Sequence, residues 1–573
     1  MTFAKNICLS LLIGSFCWMS ACRQTTEYQD YTSQKVAKSD EGMVVAAHPL
    51  AAKVGVDMLA QGGNAIDAVV AVQFALAVVY PRAGNLGGGG FMLYDEQDGE
   101  TVALDFREKA PLAATKDMYL DTEGNPVDGL STRGALAVGV PGSVDGLLAA
   151  LEKYGALKDR ALVLKGAIDL ARKGFAISAT EAERLNKYAE DFKEQNAYLF
   201  PFVKNSAWKV GDVIVQKKLA QTLQAISDKG RAGFYEGTVA GALLNTMQMN
   251  SGIITQADLN NYESKWKAPI QYKYKGYEVN GMPLPSSGGI VMMQMLKMLA
   301  PFNLDSLGFQ TAESIHLLSE VERSAYEVRA KYMGDPDHYP VPIREMLSDT
   351  FIDSMRQSLD LKRARVSITE NTKQANTPES FETTHTSIID QAGNSVSLTT
   401  TLNANYGSKL YVKGAGFFLN NEMDDFSVKP GVANLYGLVG AEANAIAAEK
   451  RMLSSMSPTI IKKDDQAYMV LGAPGGSTII TAVMQVFLNM SEYDMSLEES
   501  VNSCRTHHQW LPDHIFVEKG CLSIGIRNAL KAKGHQLKDK NYMAKIKAIH
   551  RGKDGSLTGV GDKRNPDDHA QGL

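Results

Sequence analysis

Cysteine is scarce in this chain, with 5 in 573 residues, and Cys8, Cys17 and Cys22 all fall in its opening stretch. Beyond them only Cys504 and Cys521 remain. Their spacing matches no zinc-site pattern. Whether they pair is left open, because geometry decides it. Neither sign of charge is in excess: 59 Lys and Arg stand against 64 Asp and Glu, a net charge of −5 with no long basic run. That balance argues against a nucleic-acid partner. The one leading apolar run, Ile7 to Met19, is too short for a membrane span. Familiar catalytic signatures are missing too: there is no H-E-x-x-H, no P-loop and no G-x-S-x-G. The glycines from Gly87 to Gly90 do not follow a strand and open a helix, so they make no dinucleotide fingerprint. His507 and His508 are adjacent rather than spaced along one helical face, which favours a structural role over metal binding.

What is present reads as a globular chain. Hydrophobic residues make up 44% and charged residues 21%, enough for a sizeable core without metal or disulfide staples. Lys5, the apolar Ile7–Met19 stretch and the small pair Ser20-Ala21 read as an export leader over residues 1–21. Met19-Ser20-Ala21-Cys22 resembles the lipobox of bacterial lipoproteins, with Met where Leu is usual. That implies lipidation at Cys22 and a periplasmic or cell-envelope location. Residues 22–40 are polar and aperiodic, as expected of a tether.

Regular structure is predicted from Glu41 onward. Pro49–Leu59 is helical and Gly62-Gly63 ends it. Asn64 and Asp67 form a capping box for a second helix, Ala65–Val79, which is apolar on every side and so belongs in a core. Strands follow at Phe91–Tyr94 and Thr101–Phe106. The region 143–361 reads mainly as helices, among them Val144–Tyr154, Leu219–Asp228 and Ala312–Tyr332. A polar linker, Thr369–Phe381, precedes strands at Thr384–Asp390 and Ser395–Leu402. A hairpin around Asp464-Asp465 joins Thr459–Lys463 to Ala467–Gly472, and Gly475-Gly476 opens a helix at Ser477–Met490. This order predicts an α+β sandwich, sheets covered by helices.

The most informative stretch is Glu382-Thr383-Thr384-His385. A polar linker runs straight into a strand that begins with threonine. A threonine hydroxyl alone is a poor nucleophile. If the chain were cut before Thr383, a free α-amine would lie beside that hydroxyl. Its ordinary pKa of about 7.7–8.0 suits a general base. Taken alone, Thr383 reads as an ordinary strand-starting residue rather than a nucleophile.

The surrounding motifs carry more. Asn85–Phe91, Asp105-Phe106-Arg107-Glu108, Thr383-Thr384-His385, Thr401-Leu402-Asn403, Asn420–Phe426, Ser454–Pro458 and Pro474-Gly475-Gly476 resemble the γ-glutamyltransferase family in order and spacing. The likeness runs from about Glu41 to the C-terminus. It implies the four-layer αββα fold of N-terminal-nucleophile hydrolases. A large part (41–382) and a small part (383–573) would arise by self-cleavage and remain one heterodimer. It also implies roles. Thr383 is the nucleophile, Thr401 positions it, and Gly475 and Gly476 form an oxyanion hole. Arg107, Ser454 and Ser455 meet the α-carboxylate of a γ-glutamyl group. Asn403, Glu422 and Asp425 meet its α-ammonium. Many bacterial members carry Gln at the Glu422 position, and mammalian-type members carry Glu. Residues 430–449, with Tyr436, resemble a lid loop. No metal or organic cofactor is implied. The expected substrates are glutathione and other γ-glutamyl compounds, with water, amino acids or peptides as acceptors. Rival readings are an acylase of the same fold acting on a glutaryl side chain, an uncut binding lipoprotein, and a serine hydrolase using Ser454-Ser455. The acylase substrate lacks the α-ammonium that Glu422 and Asp425 together would reward, and the serine hydrolase lacks a placed histidine base.

Overall fold

The structure, a computed structural model, describes residues 32–97, 99–367 and 383–573. The expected leader, Cys22, much of the tether, the linker 369–381 and Glu382 lie outside the described residues. Among those described, no helix is long and apolar enough to cross a membrane.

Two 7-stranded antiparallel sheets form the centre. One, the nucleophile sheet, runs in the order His569–Gly572, Met43–Ala46, Thr383–Ile389, Ser395–Thr401, Gly89–Asp95, Thr101–Phe106, Lys265–Lys267. The other runs Val36–Ser39, Leu557–Gly561, Lys547–Arg551, Gln466–Gly472, Thr459–Lys463, Tyr277–Gly281, Ile270–Tyr274. The sheets face each other through their middle strands. Strand periodicity explains the layering, since alternate side chains point to opposite faces. Val44, Ala46, Met92 and Tyr94 enter one apolar core with the helices Pro49–Ala60, Ala65–Val79 and Arg160–Lys173. Met43, Val45, Phe91 and Leu93 enter the core between the sheets, which continues to the helices Gly288–Leu299, Ala312–Tyr332 and Ile479–Tyr493 on the far side. Helix, sheet, sheet, helix is the α+β sandwich expected.

The Ala65–Val79 helix is buried at every residue and carries the Asn64–Asp67 capping box. Its one amide side chain, Gln73, bridges the two central strands. It donates to Thr386 Oγ1 at 3.0 Å and accepts from Thr400 Oγ1 at 2.9 Å. A polar group on an otherwise apolar helix thus fixes the strands that end in Thr383 and Thr401.

Several boundaries differ from expectation. The mainly helical middle also contains five strands, the short pair Phe175–Ala176 and Val213–Ile214 and then Lys265–Lys267, Ile270–Tyr274 and Tyr277–Gly281. Tyr272 and Tyr274 are buried while Gln271 and Lys273 are exposed, and Lys275 and Gly276 turn with positive φ. The glycine run is partly strand. Gly89 and Gly90 pair with Thr401 and Thr400, and a Cβ at Gly90 would lie 2.4 Å from the Thr399 carbonyl oxygen. The expected helix at Ser477 starts as a 3-10 turn, Gly476–Thr478, and becomes α-helical at Ile479. Two C-terminal strands, Lys547–Arg551 and Leu557–Gly561, had no clear sequence signal. Cys504 and Cys521 form a disulfide, with Cα atoms 5.7 Å apart.

Candidate active site

Thr383 is the first residue of its strand and lies opposite Thr401 in a continuous antiparallel register. Odd-numbered residues of this strand face the second sheet. His385 bonds Thr399 Oγ1 at 2.8 Å and Ser387 Oγ at 3.0 Å, and Ser387 Oγ donates to the Lys547 carbonyl at 3.1 Å. Burial holds His385 far below the usual imidazole range, with Lys547 adding to the effect, so it is a neutral spacer. On the same face, Thr383 Oγ1 donates to Thr401 Oγ1 at 3.3 Å. Thr401 Oγ1 in turn accepts the Asn403 amide at 2.8 Å.

A cleft of about 320 Å³ opens at this strand end. Thr383, Thr401, Asn403, Arg107, Glu422, Asp425, Ser454, Ser455, Tyr436 and Gly476 all line it. The sequence-derived residues therefore converge, although they come from distant parts of the chain. Gly475 sits directly behind, as the residue before the 3-10 turn. Cys22 lies outside the described residues.

Arg107 follows the Thr101–Phe106 strand, and Asp105 Oδ1 accepts its amide at 3.0 Å. The guanidinium is fully buried. Nη1 lies 2.8 Å from Glu422 and 3.5 Å from Glu108, Nη2 lies 2.5 Å from Asp425, and Nε donates to the Met452 carbonyl at 3.3 Å. Burial opposes its charge, but Glu422, Asp425 and Glu108 outweigh that and raise its pKa. Burial pushes Glu422 and Asp425 up from the usual carboxylate range, with Arg107 pulling against it. The groups expected to bind carboxylate and ammonium separately thus form one ion cluster. A zwitterionic ligand would insert its own charges among them.

Glu422 and Asp425 stand on a short 3-10 turn, Glu422–Asp425. Asn421 fastens that turn to the strand end: its carbonyl accepts Asn403 Nδ2 at 3.0 Å, and its Oδ1 accepts the Ala404 amide at 3.0 Å. Ser454 donates its amide to the Pro285 carbonyl at 2.8 Å, which holds the two serines at the cleft wall.

Gly475 and Gly476 have φ of +153° and +56°. A Cβ at Gly476 would lie 2.5 Å from the Tyr436 ring. The first amides of a helix lack intrahelical acceptors, which suits donors aimed at a developing oxyanion. Tyr436 is buried, and its hydroxyl donates to the Asn403 carbonyl at 2.7 Å. Its loop is fastened by Asn434, whose Oδ1 accepts the Tyr436 and Leu438 amides at 3.0 and 3.1 Å. The loop thus holds Tyr436 in the wall of the cleft, between Asn403 and Gly476.

One polar lining residue escaped the sequence reading. Arg329, near the end of the Ala312–Tyr332 helix, is buried and lines the cleft. Its only signal was a charged residue on a helix face that tertiary packing covers. Glu108, quoted only as part of a motif, proves to be a buried partner of Arg107. His507 bonds Thr481 Oγ1 and Gln509, and His508 reaches Asp513 at 3.3 Å, both as structural contacts. Among the described residues, His316, Glu320 and His535 have metal-ligand chemistry. The two rings already bond each other at 2.7 Å and His316 bonds the Asp360 carbonyl at 2.8 Å, while Glu320 pairs with Arg323 at 3.1 Å.

A threonine opening a central strand of an αββα sandwich, beside a polar cleft and a glycine pair, defines an N-terminal-nucleophile hydrolase. The chain belongs to the gamma-glutamyltranspeptidase family, whose model matches residues 51–572. It is 41% identical over 577 residues to the glutathione hydrolase proenzyme of Escherichia coli K12, covering 100% of this chain and 99% of that protein. It is 45% identical over 520 residues to the glutathione hydrolase proenzyme of Pseudomonas sp. A14, covering 90% of each. Among solved structures it resembles the cephalosporin acylase of Bacillus halodurans, at a TM-score of 0.81 and 25% identity, covering 96% of this chain and 98% of that one.

Proposed function

We infer that this protein is a γ-glutamyltransferase and glutathione hydrolase made as a self-cleaving precursor. The observation that carries this reading is the position of Thr383. It begins its strand with its hydroxyl against Thr401, inside a cleft that presents Arg107, Glu422 and Asp425 to a zwitterion. In processing, the Thr383 hydroxyl attacks the Glu382 carbonyl and the peptide becomes an ester. The C–N bond breaks in that step and frees the Thr383 α-amine, and water then opens the ester, leaving a Glu382 carboxylate and restoring the Thr383 hydroxyl. Large (41–382) and small (383–573) parts then stay together as a heterodimer, because both contribute strands to both sheets.

In turnover, the α-amine takes the Thr383 hydroxyl proton as Oγ attacks the γ-carbonyl. Thr401 holds Oγ in place. Gly475 and Gly476 amides stabilise the tetrahedral oxyanion. The amine leaving group receives the proton and departs, and a γ-glutamyl ester remains on Thr383. Water gives glutamate, whereas an amino acid or peptide amine gives a new γ-glutamyl amide. Arg107, Ser454 and Ser455 hold the α-carboxylate. Asn403, Glu422 and Asp425 hold the α-ammonium, a group with donors only. Tyr436 closes the cleft and excludes bulk water.

We further propose export, with a lipid anchor at Cys22. The leader pattern supports this, as does the Cys504–Cys521 disulfide, a bond suited to an oxidising compartment. Incorporation of labelled fatty acid, lost in Cys22→Ala, tests the anchor.

The decisive experiment is intact-mass analysis of the wild type and Thr383→Ala, with glutamate release from glutathione. Two fragments, one starting at Thr383 and absent from the variant, with glutamate released, are expected. One uncut, inactive chain in both would overturn the reading in favour of a binding protein. Cleavage of a glutaryl anilide in preference to a γ-glutamyl anilide would favour an acylase.

A further inference from the structure

The charges around the cleft do not match a zwitterion if Arg107 is the only cation. Each of its three nitrogens already has a partner: Glu422 and Glu108 at Nη1, Asp425 at Nη2, and the Met452 carbonyl at Nε. Two of those carboxylates are the groups an α-ammonium would need. A second cation is present. Arg329 lines the same cleft, and its partners are hydroxyls rather than carboxylates: Nε donates to Ser287 Oγ at 2.9 Å and Nη2 to Ser455 Oγ at 3.1 Å.

A guanidinium has donors only, whereas a hydroxyl can donate or accept. Ser455 Oγ must therefore accept from Arg329, which leaves its one O–H to donate elsewhere. Ser287 behaves in this way: it accepts from Arg329 and donates to the Ser454 carbonyl at 2.8 Å. Arg329 thus fastens the backbone of Ser454 through Ser287 and sets the polarity of the Ser455 hydroxyl. With Arg329 counted, two guanidiniums and two carboxylates, Glu422 and Asp425, line the cleft. Such walls can receive one anion and one cation at once.

We propose that Arg329 is a positioning residue for the substrate α-carboxylate, turning the Ser455 O–H into the cleft as a donor and supplying the positive charge that Arg107 shares with its own carboxylates. This deepens the γ-glutamyl reading and rests on it. Burial lowers the Arg329 pKa, opposed by Tyr326 and Asp425. An arginine still keeps its proton at neutral pH, which a lysine in that place would do less surely.

The test compares γ-glutamyl p-nitroanilide with 4-aminobutanoyl p-nitroanilide, which keeps the ammonium and lacks only the α-carboxylate. Glutamate and 4-aminobutanoate serve as matching competitive inhibitors. Arg329→Met, Arg329→Lys and Ser455→Ala are measured after intact mass has established self-cleavage. For Arg329→Met we expect KM for the γ-glutamyl anilide and Ki for glutamate to rise about tenfold or more. kcat should change less, and the values for the two 4-aminobutanoyl compounds should hold steady. Arg329→Lys should recover part of the loss. Equal losses for both members of each pair would mean a merely structural role and overturn the proposal, as would an unchanged KM. If Arg329→Met is uncut or unfolded, Ser455→Ala reads the same ratio, and no selective loss there also overturns it. A wild type that cleaves no γ-glutamyl anilide refutes the γ-glutamyl reading itself, and the proposal falls with it.

Discussion

Thr383 and Thr401 are direct cross-strand partners whose hydroxyl oxygens are 3.3 Å apart. Thr401 also accepts the Asn403 amide, so it cannot turn away without leaving that amide unpaired. Replacing it by valine keeps the shape and removes the oxygen. Thr401→Val should lower kcat about 10–100-fold, the effect of one or two positioned hydrogen bonds, with little change in KM. Single-turnover release of p-nitroaniline from the γ-glutamyl anilide checks this.

Gly476 combines a positive φ with a missing side chain beside Tyr436. Gly476→Ala would place a methyl 2.5 Å from the Tyr436 ring and strain the backbone. The Tyr436 loop and the Gly475-Gly476 turn should shift together. We expect activity to fall at least about 100-fold while thermal stability drops only moderately, read by calorimetry beside the γ-glutamyl assay.

Burial pushes the Glu422 carboxyl well above the usual carboxylate range, and Arg107 opposes this from 2.8 Å. Glu422→Gln removes one of the two carboxyls that the proposed reading sets against the substrate ammonium. It should raise KM several-fold, leave kcat nearly unchanged and cost little stability. A large loss of kcat at constant KM would contradict this.

Asp513 fastens the last described residues before the processing site. It accepts the Ser367 amide at 2.8 Å and pairs with Arg323 and with His508 at 3.3 Å. Burial raises its pKa, but the His508, Ser367 and Arg323 bonds outweigh that and hold it well below the usual carboxylate range. A carboxyl depressed in the folded state stabilises above its unfolded pKa of about 3.9, and that stability is lost as pH falls toward the folded value. Asp513→Asn should therefore cost about 1–3 kcal/mol at pH 7, and the gap to wild type should narrow below about pH 4. Urea titrations at both pH values read it.

The Cys504–Cys521 bridge closes a loop with a sequence separation of 17. Replacing both cysteines by serine should lower stability by about 3 kcal/mol on the chain-entropy argument. Reduction of the wild type with dithiothreitol should shift the melting temperature in the same direction.

The legible parts of the fold were those with local periodicity. The Asn64–Asp67 cap, the Asp464-Asp465 hairpin and the turn between the strands Thr384–Asp390 and Ser395–Leu402 are written in neighbouring residues. The strands at Tyr277–Gly281 and Lys547–Arg551 were not, because each has a remote pairing partner: Tyr277–Gly281 meets Thr459–Lys463, and Lys547–Arg551 meets Gln466–Gly472. The site was legible through short motifs, each weak alone. Arg329 was missed because its meaning depends on Ser455, more than a hundred residues away, coming within 3.1 Å. The ion cluster at Arg107 is likewise a property of folded neighbours. The sequence offers charges of both signs but not their contacts.

Strands from before and after Thr383 are hydrogen-bonded side by side within each sheet. In the nucleophile sheet Thr383–Ile389 is enclosed between Met43–Ala46 and Ser395–Thr401, and Ser395–Thr401 is followed by Gly89–Asp95. An uncut chain can assemble this pattern by itself. After the cut, the same pattern requires two molecules to meet, so recovery from denaturant becomes bimolecular and depends on protein concentration. Thr383→Ala should regain its structure from urea at nanomolar dilution, where the cut enzyme stays apart. The precursor is thus the form in which the fold can be reached unaided, and each mature molecule inherits an arrangement that its separated pieces rebuild only by collision.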